Sequence, residues 1–388
     1  MINIPLMNDN ITNDDINVLI DFLKNNNIFT QNKYVMEFEK QWGKWLGMKY
    51  SVFVNSGSSA NYITMSIIAE LYGRGEIIVP TITWSSDIAS VFLAGHQPVF
   101  VDVDKKNFAM KEEEIINSIT KKTKAVFLTH ALGFNGLSEQ LLDELDKRGI
   151  LLIEDVCESH GAMCGEKKCG SLGLISNFSF YYAHHMSTIE GGMICTNDRK
   201  VYEYARMFRS HGMVRECTDV SIKREFHQKY KDLNPEFIFS VPGFNMRSTE
   251  INAVIGLNQL KRLNYNNKIR YENFKFFLQK LNQDKFYTDF DLEGSVNYAF
   301  ILLLREPNRK FFDKICKKLN DEKVEFRRGT SGGGNQTRQP YIQNRMSGIY
   351  PEKYVNADFI HFYGMYIGNF PTLSKEKIEK LTNVLNRI

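Results

Sequence analysis

Three short stretches carry side chains suited to chemistry on a phosphate-bearing aromatic ring. Asn55-Ser56-Gly57-Ser58-Ser59-Ala60-Asn61 follows a strand-like run and opens a helix-like one. Backbone N–H groups at a helix start, beside Gly57 and Ser58, form a phosphate cradle. The same letters suit an ordinary serine cap. Glu154-Asp155 closes an apolar run at 150–155, and ligands of open α/β sheets sit at such strand ends. A carboxylate there suits a cationic ring nitrogen, and equally a helix cap or a metal ligand. Trp84 follows the run ending at residue 80. Its flat indole suits stacking on a ring, as it suits an apolar core. Cradle, stacking ring and pyridinium partner together are what pyridoxal 5′-phosphate requires, because a protonated ring nitrogen makes that ring an electron sink.

The elements that must position these groups are readable as well. Residues 50–55 read as a strand and 58–72 as the helix after it, with apolar residues every three or four positions. The runs 76–80, 98–103, 125–128 and 150–155 are of buried-strand type. The aromatic run 178–182 has an expected antiparallel neighbour at 191–196, and 213–241 is charged and loop-rich. Residues 245–282 read as a long helix or a helix pair, opened by Ser248-Thr249-Glu250. A strand at 298–304 and helices at 309–320 and 374–388 follow. This alternation predicts an α/β fold with a mainly parallel central sheet and helices on both faces. The large domain, with an N-terminal arm, is expected over 1–250. A smaller C-terminal α+β domain is expected over 251–388, joined by the helical stretch 248–282.

Composition narrows the partners. Against 45 acidic residues, 49 basic ones leave a net charge of only +4, too little to favour nucleic acid. No apolar run approaches the ~18 residues of a membrane span. The first residues lack the basic start and apolar stretch of a secretory signal. The cysteines at 157, 164, 169, 195, 217 and 316 form no C-x-C or C-x-x-C pair, so no zinc ribbon is expected and a reducing cytoplasm is. His96, His130, His160, His211, His227 and His361 show no metal-ligand spacing, and no metal site is expected.

Five motifs taken in order resemble the sugar-nucleotide aminotransferases, of aspartate aminotransferase fold (fold type I). They are NSGSSAN at 55–61, TITW at 81–84, IEDVCESHGA at 153–162, NFSFYYAHHMSTIEGGMICTND at 177–198 and PGFNMRSTEINAVIG at 242–256. The resemblance runs from about residue 5 to the C-terminus. It implies phosphate contacts from Gly57, Ser58 and Ser179, stacking by Trp84, and Asp155 against the ring nitrogen. It implies a contact from Glu158 to the cofactor hydroxyl. It implies that Asn245 reaches the phosphate of a partner subunit, hence a homodimer with shared sites. Arg247 lies nearby.

One departure decides the expected chemistry. Aminotransferases carry, after the FSF motif, a lysine that holds the cofactor covalently. Here that place is Ala183-His184-His185, and no lysine occurs between Lys168 and Lys200. Imidazole forms no stable Schiff base, so the cofactor is expected to be held non-covalently. A histidine for lysine exchange is similar to the sugar-nucleotide 3-dehydratases, including those acting on GDP-4-keto-6-deoxymannose. Glu158 in place of glutamine, and GNQTRQP at 334–340, add to that likeness. The latter resembles a segment of the CDP-sugar 3-dehydrases and brings Asn335 and Arg338 forward as substrate contacts. Those enzymes hold an iron–sulfur cluster through a C-x-C pair; this chain lacks the pair, so no cluster is expected.

The resemblance therefore implies a cytoplasmic enzyme using pyridoxal and pyridoxamine 5′-phosphate. It would remove the C3 hydroxyl of a nucleotide-linked, GDP-type, 4-keto-6-deoxy sugar, hexose or heptose, for deoxysugar and surface polysaccharide (lipopolysaccharide or capsule) synthesis. Glutamate is the expected amino donor and His184 the acid/base, since a group titrating near neutrality serves both directions. Two alternatives stay open: a sugar-nucleotide aminotransferase with an unusual base, and a non-catalytic regulatory protein that keeps the fold.

Overall fold

The central strands are buried along nearly their whole length, because successive side chains alternate between two covered faces of a sheet. The computed structural model describes residues 1–8 and 10–388. Among them, seven strands make the large sheet: β1 (Tyr50–Val54), β2 (Glu76–Pro80), β3 (Gln97–Val101), β4 (Thr123–Thr129), β5 (Leu151–Asp155), β6 (Ile175–Ser179) and β7 (Gly192–Thr196). Their order is β1-β7-β6-β5-β4-β2-β3. Only β7 runs antiparallel to its neighbours, β1 and β6; the remaining pairings are parallel. In β1, Val52 and Val54 face one core and Phe53 the other. Phe38 and Trp42 of α2 (Lys33–Leu46) cover the Phe53 side. Ile63 and Ile67 of α3 (Gly57–Tyr72), with Ile88 and Val91 of α4 (Ser85–Leu93), cover the other. This is the fold expected, with helices on both faces of a mainly parallel sheet.

The expected aromatic strand at 178–182 lies earlier in the chain. β6 ends at Ser179, and Tyr181 and Tyr182 are exposed in the loop beyond it. The helical stretch is a pair, Glu250–Leu260 and Leu263–Lys280. The charged segment 213–241 contains a helix, Val220–Lys229, with no fully buried residue; only Ile222 and Phe226 pack half-buried against the core, so its apolar period is weak. In the C-terminal half, Ala299–Leu303, Phe326–Arg328 and Gly364–Gly368 form a three-stranded antiparallel sheet. Ile2, Ile4 and Met7 pack into that C-terminal core, and Ile4 bridges to Val324. The first residues thus adjoin the C-terminal half, because three apolar side chains find their burial there. No helix among the described residues is long and apolar enough to cross a membrane.

Two buried carboxylates fix the helices to one another. Asn32 offers α2 no side-chain cap; the carboxylate of Glu250 accepts the N–H groups of Asn32, Tyr34 and Val35 instead, at 2.8–3.0 Å. Negative charge at a helix start is favourable as well as satisfying otherwise orphaned donors. Asp15, in α1 (Asn13–Asn25), is fully buried. It accepts from the Thr12 N–H at 2.9 Å, Arg262 Nη1 at 3.0 Å and Asn258 at 2.9 Å. Burial alone would raise its pKa, but Arg262 with the Thr12 and Asn258 donors outweighs it, and the carboxyl titrates below the usual aspartate range. Its stabilisation is therefore present above about pH 4 and fades as pH falls through the lowered value. Asp15→Asn should cost about 2 kcal/mol at pH 7, where charge-assisted bonds are lost. Denaturant titrations should show the gap to the unaltered protein closing in acid.

Candidate active site

The carboxyl ends of β1, β2, β4, β5 and β6 open on one edge of the sheet, and the groups singled out by sequence collect there. Ser56 caps α3, accepting the Ser59 N–H at 3.1 Å, so the helix begins at Gly57. A Cβ at Gly57 would stand 2.6 Å from Ser179 Cβ and 3.0 Å from Cys157 Sγ. Only glycine lets the first amides of α3 lie open beside the Ser179 hydroxyl. Ser58 is exposed in that first turn. Trp84 stands just before α4, 56% exposed, with its ring available for stacking.

Glu154 and Asp155 separate by strand alternation. Glu154 turns away from the edge and accepts the N–H groups of Gly170, Leu172 and Gly173 at 2.6–2.9 Å, with His130 Nε2 at 3.2 Å. It is a fixed anchor for the 170–173 turn. Asp155, buried at the end of β5, accepts from the Cys157 N–H at 2.8 Å and Asn61 Nδ2 at 2.9 Å. Two donors leave lone pairs on this carboxylate for a ring N–H.

His184 lies in the loop after β6. Three amide side chains clamp that loop. Asn10 donates to the His184 carbonyl at 3.0 Å. Gln259 accepts the Ser187 N–H at 3.2 Å while donating to the Asn10 carbonyl at 2.5 Å. Asn252 donates to the Thr188 carbonyl at 2.6 Å and the Glu190 carbonyl at 3.1 Å. The His184 ring sits between Tyr181 and Tyr298, with centroids 6.0 Å away on each side. Burial pushes its pKa down to about 4, so the ring is neutral at pH 7. His185 points the other way, into the interior, with Nε2 2.6 Å from the Val296 carbonyl.

Glu158 is buried between the loop after β4 and the C-terminal half. It accepts the Leu132 N–H and the Ser331 hydroxyl, each at 2.8 Å. Desolvation pushes its pKa up to about 6. Asn335 is fully buried. Its amide donates to Asp358 at 2.8 Å and its oxygen accepts the Thr337 N–H at 3.0 Å, so it shapes its own turn. Arg338 is partly exposed, paired with Asp358 and lying 4.9 Å from the Phe362 ring centroid. Asn245 is exposed and its oxygen accepts from Arg247 Nε at 3.1 Å. Arg247 bridges to Val54, and the Met246 carbonyl accepts the Asn55 N–H at 2.9 Å, which places this segment beside the phosphate cradle of its own chain.

The residues present fit a pyridoxal-type cofactor. A glycine-opened helix start beside Ser179 suits its phosphate, and Asp155 at the floor suits its ring nitrogen. Comparisons with known proteins agree. The model of the DegT/DnrJ/EryC1/StrS aminotransferase family matches residues 9–386. The chain belongs to this family. Its members depend on pyridoxal phosphate. The GDP-4-keto-6-deoxy-D-mannose 3-dehydratase of Yersinia pseudotuberculosis is 30% identical over 401 residues, covering 100% of this chain and 99% of that protein. The GDP-perosamine synthase of Escherichia coli O157:H7 is 25% identical over 390 residues, covering 99% and 98%. The E. coli GDP-4-keto-6-deoxy-D-mannose-3-dehydratase with bound hydrated PLP superposes with a TM-score of 0.89 at 28% identity, covering 99% of this chain and 100% of that one. The chain is thus a sugar-nucleotide enzyme of the aminotransferase/dehydratase kind, on fold type I.

Within this family member, several residues of the site carry no local mark in the sequence. Tyr298 and Ser331 come from the C-terminal half and meet His184 and Glu158 only in the fold. Gln259 lies within a helix whose letters read as packing. Gln259→Ala should cost about 1–3 kcal/mol, since the Ser187 N–H and Asn10 carbonyl would be left buried without it. The loop it holds should then exchange its amides faster. Hydrogen-exchange mass spectrometry over 182–190 checks this.

Proposed function

We propose that this chain removes the C3 hydroxyl of a GDP-linked 4-keto-6-deoxy sugar, hexose or heptose, with glutamate restoring the amino form of a non-covalently held cofactor. The carrying observation is His184: an imidazole held at the site wall, in a loop without lysine between residues 168 and 200. When bound, pyridoxamine phosphate would supply an electron sink, taking up the electron pair left when a base removes a proton and passing it on to expel a hydroxyl.

The chain's own residues do the rest. Gly57, Ser58 and Ser179 would hold the phosphate, and Asp155 would pair with the ring nitrogen. Trp84 would stack on the ring, and Glu158 would meet its hydroxyl. His184, neutral at pH 7, takes a proton on Nε2, the ring nitrogen left facing the site, and can return it to the departing hydroxyl. An amine at this place would capture the cofactor aldehyde; an imidazole leaves it free. Arg247 and Arg338 are the proposed cationic contacts for the substrate diphosphate, while Asn335 supports the Arg338 turn. A homodimer with Asn245 reaching the partner's phosphate is supported by exposed Phe237, Phe239 and Phe244, which give this segment an apolar face for a second copy. Deoxysugar supply to lipopolysaccharide is the expected setting. The second reading is amino transfer, favoured by the likeness to GDP-perosamine synthase.

Product mass separates the readings. Incubation with pyridoxal phosphate, glutamate and GDP-4-keto-6-deoxymannose should give a sugar lacking one oxygen. An amine in place of the ketone would establish transfer instead, and no turnover on any 4-keto sugar nucleotide would favour a non-catalytic role. His184→Asn should abolish dehydration, by at least about 100-fold, while equilibrium dialysis shows the cofactor still bound. The pH profile carries a further sign. An acid limb near pH 6 belongs to Glu158, and His184 protonates only near 4. Glu158→Gln should remove that limb and leave the rate level down to about pH 5.

A further inference from the structure

Beneath Asp155 lies a second carboxyl that the chemistry above does not use. Asp87, in the first turn of α4, is 1% exposed. Asn61 spends both hydrogens of its amide on the pair, one to Asp87 Oδ1 at 2.7 Å and one to Asp155 Oδ2 at 2.9 Å. The other oxygen of Asp87, Oδ2, meets two hydroxyls. Thr129 Oγ1 is 2.8 Å away and Thr83 Oγ1 is also within bonding reach. Those hydroxyls lie 2.8 Å from each other. The three oxygens close a triangle. Thr83 is 0% and Thr129 4% exposed, so bulk water supplies no proton to it.

The protons can be counted. Two threonines bring two hydrogens to three contacts. With Asp87 ionised, both hydroxyls point at Oδ2, and their mutual contact at 2.8 Å sets lone pair against lone pair. With a proton on Oδ2, each oxygen donates once and accepts once, and the ring closes. The titratable groups facing Asp87 agree: Asp155, Cys157 and Tyr341 lie about it, none of them a cation. Burial first, and then the charge of Asp155, hold the Asp87 carboxyl well above the usual carboxylate range.

We infer that Asp87 is a neutral carboxylic acid, and a positioning residue that holds Asp155 through Asn61 so that the pair presents one negative charge to the site. Two buried carboxylates this close do not both ionise. Were Asp87 charged, a protonated ring nitrogen would meet two anions, one of them without a counter-charge. The neutral acid gives Asp155 rigidity without competing charge. The role of Asp155 as ring partner rests on the function proposed above; the protonation of Asp87 does not.

Infrared spectroscopy of the cofactor-free protein tests the inference. At pH 7.5 the unaltered protein should show a protonated-carboxyl stretching band that shifts in heavy water and is lost in Asp87→Asn. Absence of that band overturns the inference, whatever the enzyme proves to catalyse. Fluorescence titration with pyridoxal phosphate supplies the second reading. The amide of Asp87→Asn can donate where the acid does, so its Kd should stay within threefold of the unaltered protein. Asp87→Ala unties Asn61 and should raise Kd at least tenfold. Equal weakening in both variants would show that Asp87 acts as an anion, and the inference would fall. Thermal melting of Asp87→Asn checks that it folds, and the band in the unaltered protein decides the matter even if Asp87→Ala does not.

Discussion

One side-chain amide holds the floor of the site. Asn61 donates to Asp87 and Asp155, and its oxygen accepts from Asn177, which in turn accepts from Thr64. α3, α4, β5 and β6 therefore meet at a single buried group. Each bond is made where water cannot replace it, so losing one leaves a donor or acceptor stranded. The constraint is mutual: Asp155 can be buried because Asn61 and the Cys157 N–H satisfy it, and Asn61 stays fixed because two carboxyls and an amide use all its capacity. The position of Asp155 at the strand end follows from this network as much as from the strand.

The opposite wall is built on another principle. His184 sits on a loop, and a loop alone would not hold the proposed base to the tolerance that proton transfer needs. Amides from the arm and from the helix Glu250–Leu260 supply the missing rigidity by binding the loop's carbonyls and an N–H. The arm is itself pinned by Asp15 to Arg262. An ion pair on the far side of the arm thus reaches the His184 loop through Gln259 and Asn10. Tyr181 and Tyr298 complete the wall with rings that exclude water and keep the imidazole neutral.

Much of this was legible from local letters, and the rest depended on alternation and distance. The strand–helix alternation announced the parallel sheet because buried strands are apolar on both faces. The His184 exchange stood out because a lysine was expected there. Glu154 and Asp155 look alike in sequence, and only the pleat tells that one anchors a turn and the other faces the edge. The GNQTRQP segment suggested contacts with substrate, yet Asn335 is consumed by its own turn and by Asp358. Nothing local marks Asp87 as buried, since an acid in the first turn of a helix is ordinarily a surface group favoured by the helix dipole. The helix Val220–Lys229 carries only a faint period for the converse reason: Ile222 and Phe226 are its only core-facing apolar residues, and both are only half-buried.

The two titrating groups of the site are pushed in opposite directions by the same cause. Burial lowers the imidazole of His184 to about 4 and raises the carboxyl of Glu158 to about 6, because in each case it disfavours the charged form. An ordinary histidine titrates above an ordinary glutamate; here the order is reversed. Near neutrality the imidazole is an unprotonated base, while the carboxyl still carries a proton part of the time. Groups whose environments move their affinities apart are the ones assigned to opposite halves of acid/base chemistry. A lysine in place of His184 would meet the same desolvation, and as a primary amine it would bond to an aldehyde. The imidazole cannot form that bond, and the proposed elimination, as against amino transfer, rests on this difference.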